Sequence, residues 1–161
     1  MPVMTTTVAD KKHILVLGVG NTLLKDEGVG VHVARRLQAM DLPDDVEVIE
    51  GGVLGLDLLD HMEEREKIVV VDAVDGGEMP GTVYRLTRAE IEQSVTRCLT
   101  SLHEMDLPKV FATADLMGIQ IEPVIIGVEP KDMNMGYDEL TPEVEAAIPR
   151  VIEMVLKEIT Q

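Results

Sequence analysis

Short β-branched runs alternate with stripes of helical period along this chain. Residues 14–18 form a continuous apolar run and predict a first strand. Residues 29–40 set Val29, Val33, Leu37 and Met40 on one face, the spacing of an amphipathic helix. Pro43 and Asp44 mark a turn. Residues 46–50 predict a second strand, and Gly51-Gly52 break it. A short helix is expected over 54–62, where Leu58 and Met62 stand four apart. Residues 67–72 are apolar from Ile68 to Val71, the pattern of a strand buried on both faces.

The second half is less regular. Gly76-Gly77 and Pro80-Gly81 punctuate a loop, and the alternation over 82–86 predicts an edge strand. Residues 88–93 read as helix, whereas 94–107 carry no clear period. A helix over 108–117 starts with Pro108 in its first turn, and 123–128 predict the last strand. A long loop over 129–140 leads to a final helix reaching about Ile159, with Thr141 as its cap and Pro142 in its first turn. Pro149 is expected to kink or split that helix. The β-α-β-α-β order implies a largely parallel sheet with helices on both faces, and the 82–86 strand antiparallel at or near an edge. Residues 1–12 read as a loose tail and 13–161 as one domain.

Charge narrows the function. The 161 residues hold 30 acids and 14 bases, a formal charge of -16, with 45% hydrophobic residues to build a core. Nucleic acid and anionic membrane surfaces both demand a basic face, so neither is an expected partner. No apolar run reaches membrane-span length, and residues 1–12 lack the apolar core of a signal peptide. Cys98 is the sole cysteine, read as a packed or idle thiol; it permits no internal disulfide and fits a cytoplasmic setting.

The candidate chemistry begins with Ile14-Leu-Val-Leu-Gly-Val-Gly-Asn21, followed by Leu23-Leu-Lys-Asp-Glu-Gly-Val-Gly30. Gly18 and Gly20 match two glycines of a dinucleotide fingerprint, but the third slot is Leu23, and Asp26 with Glu27 repels phosphate at the helix entrance. In an open parallel sheet, ligands bind beyond the carboxyl ends of the strands. Glu27 follows the first strand and Asp72 ends the third, so the two carboxylates converge if those strands are neighbours. Each also has a plain structural reading: Asp72 as a loop cap, Glu27 as a first-turn acid favoured by the helix dipole. Among four histidines, His13 reads as a solvent-facing strand start, His32 as half-buried packing and His61 as a surface residue near a helix end. His103 precedes the Pro108 helix in a stretch able to fold over the sheet's carboxyl edge. Glu27, Asp72 and His103 would give two oxygens and one nitrogen, a donor set for nickel, zinc or manganese that leaves positions open for substrate. Met105, Met117, Met133 and Met135 flank this region. Filling the core is favoured for them over forming an adaptable partner surface.

These residues resemble the nickel-iron hydrogenase maturation endopeptidases. The opening segment with Leu23, Leu24, Asp26, Glu27, Gly28, Val29 and Gly30 carries the first match. Gly51-Gly52 with Gly55, Leu58 and Leu59, Val71-Asp72-Ala73, Pro80-Gly81, His103, Gly127-Val128-Glu129-Pro130, Gly136 and Leu140-Thr141-Pro142 follow in order. The resemblance implies a three-layer α/β/α sandwich around a mostly parallel five-stranded sheet with one antiparallel strand. It implies removal of a C-terminal extension from the precursor of a hydrogenase large subunit after nickel insertion. It assigns Glu27, Asp72 and His103 as both catalytic and nickel-contacting residues, with the nickel carried by the substrate; another divalent ion is able to occupy the same donors. Family members are grouped with aspartic-type proteases, although no pepsin-like Asp-Thr/Ser-Gly signature occurs here. Two departures stand out: Glu50 precedes Gly51-Gly52 where Asp is more usual, and Glu104 has no assignable counterpart. A non-catalytic nickel-binding assembly chaperone on the same fold is the alternative. Neither the hydrogenase processed, the cleavage position nor the oligomeric state follows from the sequence.

Overall fold

A computed structural model of the chain describes residues 12–52, 57–93, 97–98 and 107–161. Six strands and five helices follow in chain order. They are β1 (Ile14–Val19), α1 (Val29–Gln38), β2 (Val46–Gly52), α2 (Asp57–Met62), β3 (Lys67–Asp75), β4 (Val83–Thr87), α3 (Arg88–Gln93), β5 (Arg97–Cys98), α4 (Leu107–Leu116), β6 (Val124–Val128) and α5 (Pro142–Ile159). The main sheet runs β2-β1-β3-β6-β4. Its first four strands are parallel, and β4 closes one edge antiparallel to β6. The two-residue β5 lies off this path, antiparallel to Val74 and Asp75 at the end of β3.

The pleat of each central strand divides its side chains between two cores. Leu15, Leu17 and Val19 of β1, with Ile68, Val70 and Val74 of β3, pack in the core that includes Leu58 and Met62 of α2 and Val110 and Phe111 of α4. Val16, Val69, Val71 and Ala73 share the other with Val33 and Leu37 of α1 and Ile148, Val151 and Val155 of α5. The result is a three-layer α/β/α sandwich. Each fully buried aliphatic side chain contributes roughly 1.5–3 kcal/mol, so both helical layers are held on the sheet mainly by area.

Several local expectations change. α1 stops at Gln38, two residues before its stripe does, and Met40 is exposed. α5 continues through Pro149. That proline faces solvent, where water can satisfy the carbonyl it leaves free, while Val144, Ile148, Val151 and Val155 hold the helix against the sheet. Thr141 occupies the cap position without capping through its side chain; its hydroxyl donates to Asp26 instead. β5 falls in the stretch that showed no period. Met117, Met133 and Met135 are exposed, so they do not fill the core. Met105 and residues 1–11 of the expected tail lie outside the described residues, as do 54–56 of the expected short helix.

One feature of the topology positions the site. From β1 the chain crosses to β2 on one side, while β3 lies on the other. The carboxyl ends of β1 and β3 therefore flank a switch point, where two connections leave the sheet in opposite directions and open a crevice.

Candidate active site

The turn after β1 is built from the chain's own close contacts. Gly20 has φ +145°, and a Cβ there would lie 2.0 Å from the Glu27 carbonyl oxygen. A Cβ on Gly30 would lie 2.2 Å from the Val71 carbonyl oxygen and 2.3 Å from that of Val19. The first glycine lets the turn fold back on itself, and the second lets α1 start against β1 and β3. The glycine that resembled a phosphate cradle is thus occupied by protein backbone. Asn21 shapes the same turn, its Oδ1 accepting the Leu23 N–H at 2.9 Å. Lys25, at φ 43°, opens a single 3-10 turn, Lys25–Gly28, that delivers the two acids to the entrance of α1.

Asp26 and Glu27 are adjacent, and both are buried. Their surroundings differ entirely. Asp26 Oδ2 accepts the backbone N–H groups of Lys131 and Asp132 and the Thr141 hydroxyl, and Oδ1 accepts the Thr141 N–H. Asp26 returns a bond from its own N–H to the Asp132 carbonyl, and Lys25 Nζ pairs with Asp132 at 2.9 Å. Asp26 is therefore the clamp that ties the loop over 129–141 to the β1–α1 turn. Glu27 has no such partners: among the described residues, no hydrogen bond or ion pair reaches its carboxylate. Only 2% of it is exposed, and burial pushes its carboxyl up to about 7.

Asp72 is fully buried near the end of β3 and accepts its neighbour's Ala73 N–H at 2.8 Å. By strand alternation it shares the side of Ile68, Val70 and Val74, the side covered by α2 and α4. Glu27 follows β1 and Asp72 lies toward the end of β3, the parallel hydrogen-bonded neighbour of β1, so both stand at the carboxyl edge beside the switch point. A cleft of about 230 Å³ lies between the β1–α1 turn, α1 and β2, lined by Gly20, Thr22, Val31, Arg35 and Glu50 and by neither Glu27 nor Asp72. Glu50 accepts from Arg35 Nε at 2.7 Å, and Arg35 also reaches Asp138.

His103 and Glu104 lie outside the described residues, and the described residues contain no cluster of three metal-ligating side chains. The flanks of that stretch are described: β5 pairs beside Val74 and Asp75, and α4 begins at the buried Leu107. The other histidines sit elsewhere. His13 and His61 are exposed. His32 is half-buried, 3.3 Å from Asp138, and burial holds its pKa below the ordinary value against the opposing pull of that carboxylate.

Sequence reasoning also missed a second clamp. Buried Glu129 follows β6 and accepts, through Oε1, the N–H groups of Gly76 and Glu78 and the Tyr84 hydroxyl. Burial and this carboxylate both push the Tyr84 hydroxyl well above its ordinary pKa. A lone acid after a strand carries no signal of this; only the antiparallel return of β4 brings Tyr84 to it.

Comparison with known proteins follows the same lines. The profile of the hydrogenase maturation protease family matches residues 31–158, a span that includes Asp72 and His103 and begins just after Glu27. The Hydrogenase 2 maturation protease of Escherichia coli is 37% identical over 147 residues, covering 89% of this chain and 88% of that one. Hydrogenase expression/formation protein HupD of Rhizobium leguminosarum is 36% identical over 147 residues, covering 90% and 73%. Among solved structures, the hydrogenase maturating endopeptidase HybD from E. coli superposes with a TM-score of 0.80 at 34% identity, covering 92% of each chain. The [NiFe] hydrogenase maturation protease HybD from Thermococcus kodakarensis gives 0.70 at 29%, covering 90% of this chain and 97% of that one. The chain belongs to the hydrogenase maturation proteases.

Proposed function

We propose that this protein is a cytoplasmic endopeptidase that removes the C-terminal extension of a nickel-iron hydrogenase large-subunit precursor, and that it acts only after nickel has been inserted. The observation that carries the reading is the pair of buried carboxylates, Glu27 and Asp72, at the β1/β3 switch point. Structural carboxylates in this protein are satisfied by several donors, as Asp26 and Glu129 are. Glu27 is not satisfied in that way by the described residues, and it stands where parallel sheets bind ligands.

The nickel belongs to the substrate. Oxygen donors from Glu27 and Asp72, with the His103 imidazole as the third, suit an ion already held by the precursor that retains open positions. Engaging it docks only a loaded precursor and fixes the scissile bond beside the rim, and orientation of this kind lowers the barrier by reducing the entropy lost on reaction. Glu27 or Asp72 serves as general base where its carboxylate is not fully engaged by the nickel.

Mass spectrometry of nickel-loaded precursor before and after mixing tests this directly. The expected result is loss of a C-terminal fragment with the unaltered protein, and none with Glu27→Gln, Asp72→Asn or His103→Ala. A precursor of unchanged mass would leave the chaperone reading in place. Normal processing by all three variants would end the residue assignment, and efficient cleavage of nickel-free precursor would end the sensing mechanism.

A further inference from the structure

Large apolar side chains are exposed beside the site on two segments tied to each other. Leu23 is 48% exposed, Met135 76% and Tyr137 78%. The Gly136 N–H donates to the Leu23 carbonyl at 2.9 Å, and the Asp138 N–H to that of Thr22 at 2.8 Å. Leu24 and Gly136 form a parallel bridge. These bonds hold Leu23 on one segment next to Met135 and Tyr137 on the other. Isolated exposed hydrophobics are ordinary, but a contiguous group on a fixed platform is the usual mark of an interface. The platform is fixed: Asp26, Lys25 and Asp132 bind the loop over 129–141 to the turn that carries Glu27.

We propose that Leu23, Met135 and Tyr137 form a docking surface for the body of the protein whose tail is cut, a partner face apolar at its centre and basic around it. This rests on the function proposed above and names how the partner is held. Charge selects the occupant. A second copy of this chain would bring together two molecules each of formal charge -16, whereas a basic rim is attracted. Position does the same. Leu23 is four residues before Glu27, so a partner seated here already borders the catalytic rim. Met and Tyr are residue types favoured at interface centres, where they supply contact area at small entropic cost.

The test is steady-state processing of nickel-loaded precursor by the double variant Met135→Ser/Tyr137→Ser. Both side chains are exposed, so the fold is kept. KM is expected to rise about tenfold or more while kcat stays within about twofold, the pattern of lost uniform binding. The matched control is Leu116→Ser/Met117→Ser, exposed after α4, which should change neither constant. An unchanged KM, or a fall in kcat alone, would overturn the docking surface. Absence of cleavage by the unaltered protein would instead overturn the proposed function. Sedimentation of the unaltered chain alone gives the last outcome: a dimer that the double variant abolishes would assign the patch to a second copy.

Discussion

Two glutamates in this protein are almost equally hidden and behave in opposite ways. Glu158 of α5 is 4% exposed and holds Lys67 at 3.0 Å and Arg85, and those cations draw its pKa below the ordinary value. Glu27 is 2% exposed, lacks a cation among the described residues, and is raised to about 7. One carboxylate joins α5 to β3 and β4, and its charge is part of the packing. The other stands at the sheet's carboxyl edge with no compensating charge among the described residues. Burial alone therefore does not set the charge state of a carboxyl; what surrounds the buried oxygens does.

The comparison breaks most sharply on activity. Glu27→Gln should lower kcat/KM for precursor processing by about 10²–10⁴, the range for loss of a positioned acid–base group, without lowering the melting temperature. Glu158→Gln should leave kcat/KM within about twofold, since it touches nothing at the rim. Equal losses from the two variants would mean that Glu27, too, is a structural acid.

A second contrast lies between chain neighbours. Asp26→Ala would leave the N–H groups of Lys131, Asp132 and Thr141 without their acceptor, costing about 3–4 kcal/mol in denaturant unfolding. Glu27→Ala removes no described hydrogen bond and should cost clearly less. If the Glu27 variant proves the less stable, the division of labour within the Asp26-Glu27 doublet is wrong.

That doublet also marks where sequence reading ran out. Strand and helix positions were legible because the apolar runs of β1 and β3 and the stripe of α1 are local patterns. The parallel order followed from their alternation. The placement of Glu27 and Asp72 at the carboxyl edge was legible for the same reason, given the neighbouring of β1 and β3. The different surroundings of Asp26 and Glu27 were not, because the donors to Asp26 lie more than one hundred residues away, in the loop before α5. The reading of Thr141 as a side-chain cap failed for the same cause: its hydroxyl was committed to Asp26. β5 escaped because two residues carry no periodicity; its partner is chosen by the end of β3. His103, read from its place before the Pro108 helix and from the family resemblance, lies outside the described residues.

The pH dependence of stability sharpens the contrast for Glu27. Its folded pKa lies above the ordinary 4.5, so the folded state binds the proton more tightly than the unfolded chain does. Stability contributed by the neutral form is complete below about 4.5, declines as pH rises toward 7, and is gone above it. A shift of this size corresponds to about 3 kcal/mol. Urea unfolding at pH 4.5 and pH 8 should show the unaltered protein losing about that much relative to Glu27→Gln, whose amide does not titrate. A constant difference between the two proteins would place Glu27 with the compensated acids.

Glu158 should produce the smallest effect and the opposite slope. Its folded pKa lies below 4.5, so its contribution is present above that value and lost as pH falls through the lower, folded one. Glu158→Gln keeps the shape but leaves Lys67 and Arg85 facing an amide, and Arg85 is exposed enough for water to take over much of its pairing. The expected cost is therefore modest, about 1–2 kcal/mol at pH 7, and it should shrink toward zero as pH falls through the lowered folded pKa and the native carboxylate is itself protonated. Denaturant midpoints of the two proteins, compared across that interval, should converge in acid; for Glu27 and its glutamine variant they should separate in base. If both pairs converge in the same direction, the surroundings of the two glutamates are electrostatically alike, and their different hydrogen-bond partners do not set their different chemistry.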